Sequence, residues 1–122
     1  MIKNIATAAV YVSDQKRALR FWIEQVGFVV HNEHKIGPNA RWIEVGPPGA
    51  ESCLVIYPRS MMNDWAERKP SVVFACQEIQ ATFEKMRDNG VVFEQEPQKL
   101  PWSMFATFLD LDGNLYGLRE AI

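Results

Sequence analysis

Apolar and polar positions along the chain trace the same unit twice. Residues 5–12 form a short apolar run that fits a strand or part of a helix, and the residues after it decide for the strand. Ser13 and Asp14 are helix N-cap residues. Leu19, Trp22, Ile23 and Val26 then recur at helical spacing until Gly27, which stands where a C-cap glycine belongs. Turn signals at Gly37-Pro38-Asn39 and Gly46-Pro47-Pro48-Gly49 cut the next region into strands at about residues 28–35, 40–45 and 52–57. The first module is therefore β-α-β-β-β over about residues 1–58. Residues 59–70, with Met61, Met62 and Trp65, read as a linker containing one helical turn.

Past Pro70 the order starts again. Residues 71–76 are a strand, Ile79, Phe83 and Met86 mark one helix face, and Asn89-Gly90 closes the helix. Three more strands lie at about residues 91–96, 102–109 and 115–119, the last two joined by Asp110-Leu111-Asp112-Gly113-Asn114. In that turn Asp caps free amides, and Gly and Asn accept positive φ. Ser71 follows Thr7, and Gly90 follows Gly27, by close to half the chain, so the second module over about residues 71–122 repeats the first in elements although not in residue identity. The predicted class is α+β. The two βαβββ modules form a curved mixed sheet around a concave cavity, with the helices outside, and such a cavity is a natural small-molecule site.

Composition narrows the function classes. Of 122 residues, 48% are apolar and 23% charged, as in an ordinary globular domain. The 13 Lys and Arg are scattered among 15 Asp and Glu, so no basic stripe offers itself to a phosphate backbone, and nucleic acid is excluded as the expected partner. No apolar run approaches the roughly 20 residues that span a bilayer, and Lys3 and Asn4 lead into a strand rather than a signal peptide. Cys53 and Cys76 lack metal-type spacing. They read as reduced, buried small hydrophobes, which suits a cytoplasmic location.

Val12-Ser13-Asp14 entering the first helix, Phe21-Trp22 with Gly27-Phe28 closing it, Asn89-Gly90-Val91 after the second, and the run from Phe108 to Asn114 resemble, in order and spacing, the glyoxalase / bleomycin-resistance / extradiol-dioxygenase (vicinal oxygen chelate) superfamily. The resemblance covers essentially the whole chain. Metalloenzymes of that superfamily hold a divalent metal with His, Glu or Gln from four strands. By motif position those ligands fall at Thr7, near Ile56, at Ser71 and at Gly117. Two hydroxyls, an aliphatic chain and a glycine do not replace imidazole and carboxylate, so the resemblance implies the scaffold without its metal and without a cofactor.

No other constellation supplies the chemistry. His31 and His34 are three apart on a predicted strand and face opposite sides of the sheet. The Asp110–Asn114 turn lacks the third acid and distant glutamate of a calcium loop. There is no nucleophile elbow and no phosphate-binding glycine loop.

With Thr7 facing the cavity, strand alternation turns Ala9 and Tyr11 inward, and likewise Ser71, Val73 and Ala75 on the facing strand and Leu115, Gly117 and Arg119 on the last. Arg119 suits an anionic group. Trp42 and Trp102 offer planar faces. Metal-free members of the superfamily bind and sequester antibiotics, usually as homodimers, so the resemblance implies a homodimer that takes a small organic molecule. The alternative is a lyase, isomerase or oxygenase with a displaced metal or metal-independent chemistry at Glu44 or Tyr11.

Overall fold

The computed structural model describes residues 1–101 and 103–120. Its chain divides into two units, Met1–Lys69 and Pro70–Ile122.

In the first unit, β1 (Thr7–Val12) leads through the N-cap Asp14 into α1 (Gln15–Arg20). The Asp14 carboxylate accepts from the amides of Lys16 and Arg17 at 3.0 and 3.1 Å, satisfying donors that the first helical turn leaves orphaned. The helix then widens into a π-helical segment, Phe21–Val26, ended by Gly27 at φ 95°, a left-handed conformation that glycine adopts without strain. The inner face differs from the one expected over Leu19, Trp22, Ile23 and Val26. Ala18, Phe21 and Trp22 are buried, whereas Leu19, Ile23 and Val26 are only half-buried. Trp22 stacks on Phe28 at 5.3 Å, and burial of a ring this size contributes roughly 1.5–3 kcal/mol.

Strands β2 (Val29–Gly37), β3 (Ala40–Gly46) and β4 (Cys53–Pro58) complete a mixed sheet in the order β1-β4-β3-β2, with β1 and β4 parallel. Val10, Val12, Ile43, Val45, Leu54 and Ile56 face the helix as its core. Two short 3-10 helices come next, Arg59–Met61 and Trp65–Glu67, where the sequence predicts one helical turn.

The second unit has the same plan. β5 (Val73–Cys76), α2 (Ile79–Asp88), β6 (Val92–Lys99), β7 (Met104–Leu109) and β8 (Leu115–Glu120) form the order β5-β8-β7-β6, with β5 and β8 parallel. Ile79, Phe83 and Met86 are the buried face of α2, as their spacing predicts. Phe83, Phe93, Phe108, Tyr116 and Phe74 continue that core in successive ring contacts of 4.7 to 6.1 Å.

The β7–β8 turn is built around Asp110. One of its carboxylate oxygens accepts from the amides of Asp112 and Asn114, both at 2.9 Å; the other accepts from Asn114 Nδ2 at 3.0 Å and from the Tyr116 hydroxyl at 2.8 Å. Gly113 takes the positive φ the turn needs, 81°.

One equivalence between the modules shifts. The Cys53 amide donates to the Ala6 carbonyl and the Gly117 amide to the Val72 carbonyl, so Thr7 pairs with Cys53 as Val73, not Ser71, pairs with Gly117. Ser71 is exposed and lies ahead of β5.

Candidate functional site

Each sheet has one face against its helix and one without. Residues paired across strands share a face, so the ladders of the first unit place Thr7, Ala9 and Tyr11 of β1 with Cys53, Val55 and Tyr57 of β4 on the helix-free side. Glu44 pairs with Val55, Asn32 with Glu44, and His34 with Trp42, which carries the same face across β3 and β2. Strand alternation puts Thr7, Ala9 and Tyr11 together, as the sequence predicts. Ile56 is corrected by the same ladder: it pairs with Val10 and is fully buried on the helix side, so the residue of β4 that faces with Thr7 is its neighbour Val55 or Tyr57.

Four rings cross this face from edge to edge. His34 stacks on Trp42 with centroids 6.3 Å apart, Trp42 meets Tyr57 edge-on at 6.1 Å, and Tyr57 meets Tyr11 edge-on at 5.9 Å. All four are linked through backbone strands rather than loops, which holds their order. Trp42 Nε1 donates to Glu44 Oε2 at 2.7 Å, fixing the indole and leaving the carboxylate on the same face. At the β1 end, Arg68 is paired with Asp64 at 2.8 Å and its guanidinium bears on the Tyr11 phenol; these partners hold Arg68 above its ordinary pKa, the Asp64 carboxylate being the larger influence. The face thus offers aromatic surface, one acid near its middle and one guanidinium at its end.

Of the residues on this face the sequence nominates Tyr11, Trp42 and Glu44, and it does not nominate Tyr57, His34 or Arg68 for it. Tyr57 was reachable by alternation from Cys53 and Val55. His34 and Arg68 depend on contacts that strand spacing does not reveal.

The cysteines differ from the expectation that both are buried. Cys53 and Cys76 are free and half-exposed. Burial, with the Glu44 charge second, pushes the Cys53 thiol up, and burial is also the main cause of the raised Cys76 thiol, which makes both weak nucleophiles at neutral pH.

In the second unit the helix-free face carries Val73, Ala75, Gly117 and Arg119 with Phe105 and Thr107. Arg119 is exposed there, and Ser71 precedes it on an unpaired stretch. Trp102 lies outside the described residues.

The positions that the resemblance assigns to metal ligands do not fit a divalent ion. Thr7 and Ser71 supply only hydroxyls, and Ile56 turns into the core. At Gly117 even a Cβ would stand 2.7 Å from Phe105 Cζ and 3.0 Å from Val73 Cγ2, so Phe105 occupies the space a ligand side chain needs. Elsewhere, His31 Nε2 bonds the Pro47 carbonyl at 2.8 Å while His34 lies on Trp42, and the two imidazoles do not converge. Among the described residues no group of three His, Cys, Asp or Glu side chains is placed to hold a metal, and no helix is long and apolar enough to cross a membrane.

The chain is similar to YetH of Bacillus subtilis (strain 168), at 51% identity over 98% of this chain and 100% of the relative. In three dimensions it is similar to a glyoxalase/bleomycin resistance protein/dioxygenase superfamily member from Sphaerobacter thermophilus DSM 20745, with TM-score 0.88, 30% identity and 98% of each chain covered. It is also similar to TnmS3, an antibiotic binding protein from Streptomyces sp. CB03234, with TM-score 0.83, 29% identity, and 99% of this chain and 98% of TnmS3 covered. The family model for the glyoxalase/bleomycin resistance protein/dioxygenase superfamily matches residues 4–118. With the βαβββ plan present in both units, the chain belongs to that superfamily.

Proposed function

We propose that this protein is a cytoplasmic, homodimeric binding protein that takes a small organic molecule with a planar aromatic body, holding it without a metal on the helix-free face of the first sheet. The observation that carries the reading is the unbroken row of His34, Trp42, Tyr57 and Tyr11. Aromatic faces grip planar ligands at little entropic cost, because a ring already packed on its neighbours has few rotamers left to lose. Glu44 would orient a donor or cationic group of the ligand, and Arg68 an acidic or carbonyl group at the Tyr11 end.

The antibiotic-binding role of TnmS3 supports the same kind of ligand here, since the likeness extends over nearly the whole of both chains. The substituted ligand positions, with Phe105 over Gly117, favour binding over metal-dependent isomerisation or ring cleavage. Two free thiols fit a reducing compartment.

The test is a thermal-shift screen of planar polycyclic antibiotics and aromatic metabolites against the chain and its Trp42→Ala variant. A binder should raise the Tm of the parent protein and lose at least about tenfold in affinity in the variant, the effect of a central aromatic contact. A screen in which no planar compound shifts the Tm, or in which hits bind the variant equally well, would refute the reading.

A further inference from the structure

On the opposite side of the first sheet, where α1 begins beside the tip of the β2–β3 hairpin, the surface folds into a cavity of about 600 Å³. None of the rings of the aromatic row lines it. Its apolar part is Leu19 from α1, Ala40 and Ile43 from β3, and Pro38 and Pro58 from the chain ends around them.

The walls are fixed by one side chain. Gln15 donates from Nε2 to the carbonyls of Arg41 at 2.7 Å and Ile56 at 2.8 Å, and its Oε1 accepts from the Arg41 amide at 3.2 Å. Gln15 thereby pins the first turn of α1 to both β3 and β4, so the cavity is formed before any ligand arrives and ordering costs little on binding.

Its charges are unevenly compensated. Glu33 and Arg41 neutralise each other at 2.6 Å, and the Asp14 carboxylate is committed to the amides of Lys16 and Arg17. What is left is Lys16 from the helix side and Lys35 from the sheet side, neither of which has an ion-pair partner among the described residues. Two lysines from different elements line one apolar concavity, whose lining carries Lys16, Lys35 and Arg41 against Asp14 and Glu33. The cavity also holds the Asn39 amide at its hairpin rim.

We infer that this cavity is a second ligand site, separate from the aromatic face, and that it takes a small organic anion: a carboxylate or similar group held between Lys16 and Lys35, with an apolar body lying over Leu19 and Ile43. A cation is disfavoured by the two ammonium groups. A wholly apolar ligand makes no use of either charge.

Amide chemical-shift mapping with 2-naphthoate as the probe, and 2-naphthalenemethanol as its neutral counterpart, tests the assignment. Naphthoate should shift the amides of Lys16, Leu19, Lys35 and Ile43 in a saturable way, and added salt should weaken it. At those four amides the neutral compound should bind at least about tenfold more weakly, as should naphthoate in the Lys16→Gln/Lys35→Gln variant. Both lysines are exposed, so the double variant keeps the native spectrum elsewhere. The inference is overturned by shifts confined to the strands of the aromatic row, by equal binding of the two probes or of the lysine variant, or by no saturable shift at millimolar naphthoate.

Discussion

Removing the Asp110 carboxylate tests how the terminal hairpin is held. Asp110 is 8% exposed and accepts four hydrogen bonds, one of them from the hydroxyl of Tyr116, which is 1% exposed. In Asp110→Ala that hydroxyl stays buried and loses its bond to the carboxylate, at a cost of about 1–3 kcal/mol, and two turn amides lose a charged partner for about 1 kcal/mol more, so the total is about 3 kcal/mol. Tyr116→Phe alone removes one donor and leaves Asp110 its other three, costing about 1 kcal/mol. In the double variant that buried hydroxyl is gone. The two effects should therefore fall short of additive by about 1 kcal/mol or more in equilibrium urea unfolding of all four proteins. Additivity within about 0.3 kcal/mol would refute the account of the turn.

The same pair gives a sign for pH dependence. Burial, then the Asp110 charge, raises the Tyr116 pKa above its ordinary value, so above about pH 10 the unfolded chain releases a proton that the folded chain keeps. Stability from this group is whole below that pH and declines as pH rises further, by up to about 1.4 kcal/mol per unit. Tyr116→Phe should flatten the alkaline limb of a stability-against-pH curve, and an unchanged limb would count against the buried phenol as its source.

Two further substitutions probe the packing. Gln15→Ala removes the three bonds that tie α1 to β3 and β4 and should lower stability by about 2 kcal/mol in thermal unfolding; a loss under about 0.5 kcal/mol would mean that water replaces them freely. Gly117→Ala should cost about 1 kcal/mol by forcing Phe105 and Val73 aside, and Phe105→Leu in the same chain should recover part of it, whereas a Gly117→Ala protein as stable as the parent would show that the ring moves without cost.

The plan of the fold was legible because each module writes its period plainly: Ile79, Phe83 and Met86 can serve one helix face only, and Asp110 to Asn114 one kind of turn. Where the reading slipped, the cause lies in geometry that spacing does not carry. The buried face of the first helix is Ala18, Phe21 and Trp22, which share helical spacing of three and four but start from a residue too small to stand out in an apolar pattern. The true counterpart of Thr7 is displaced from Ser71 to Val73 because β1 pairs from further ahead of its helix cap than β5 does. A slip of one residue at Ile56 exchanged a core side chain for Tyr57 and hid one of the four rings of the aromatic row. Alternation nominates Tyr11 and size nominates Trp42, and the ring contacts place both on one face. The second cavity was invisible, since Lys16 and Lys35 come to line one concavity only when the hairpin folds back on α1.

Phe105 also constrains what the chain can become. A metal-binding side chain at Gly117 has no room while that ring lies over it, and a ring removed first leaves a gap over Gly117 with nothing yet to fill it. Either single step is a loss, and only the pair opens the position. Sequence drift by one residue at a time therefore meets a barrier there, and chelation at β8 can arise in this chain only through a temporarily weaker protein.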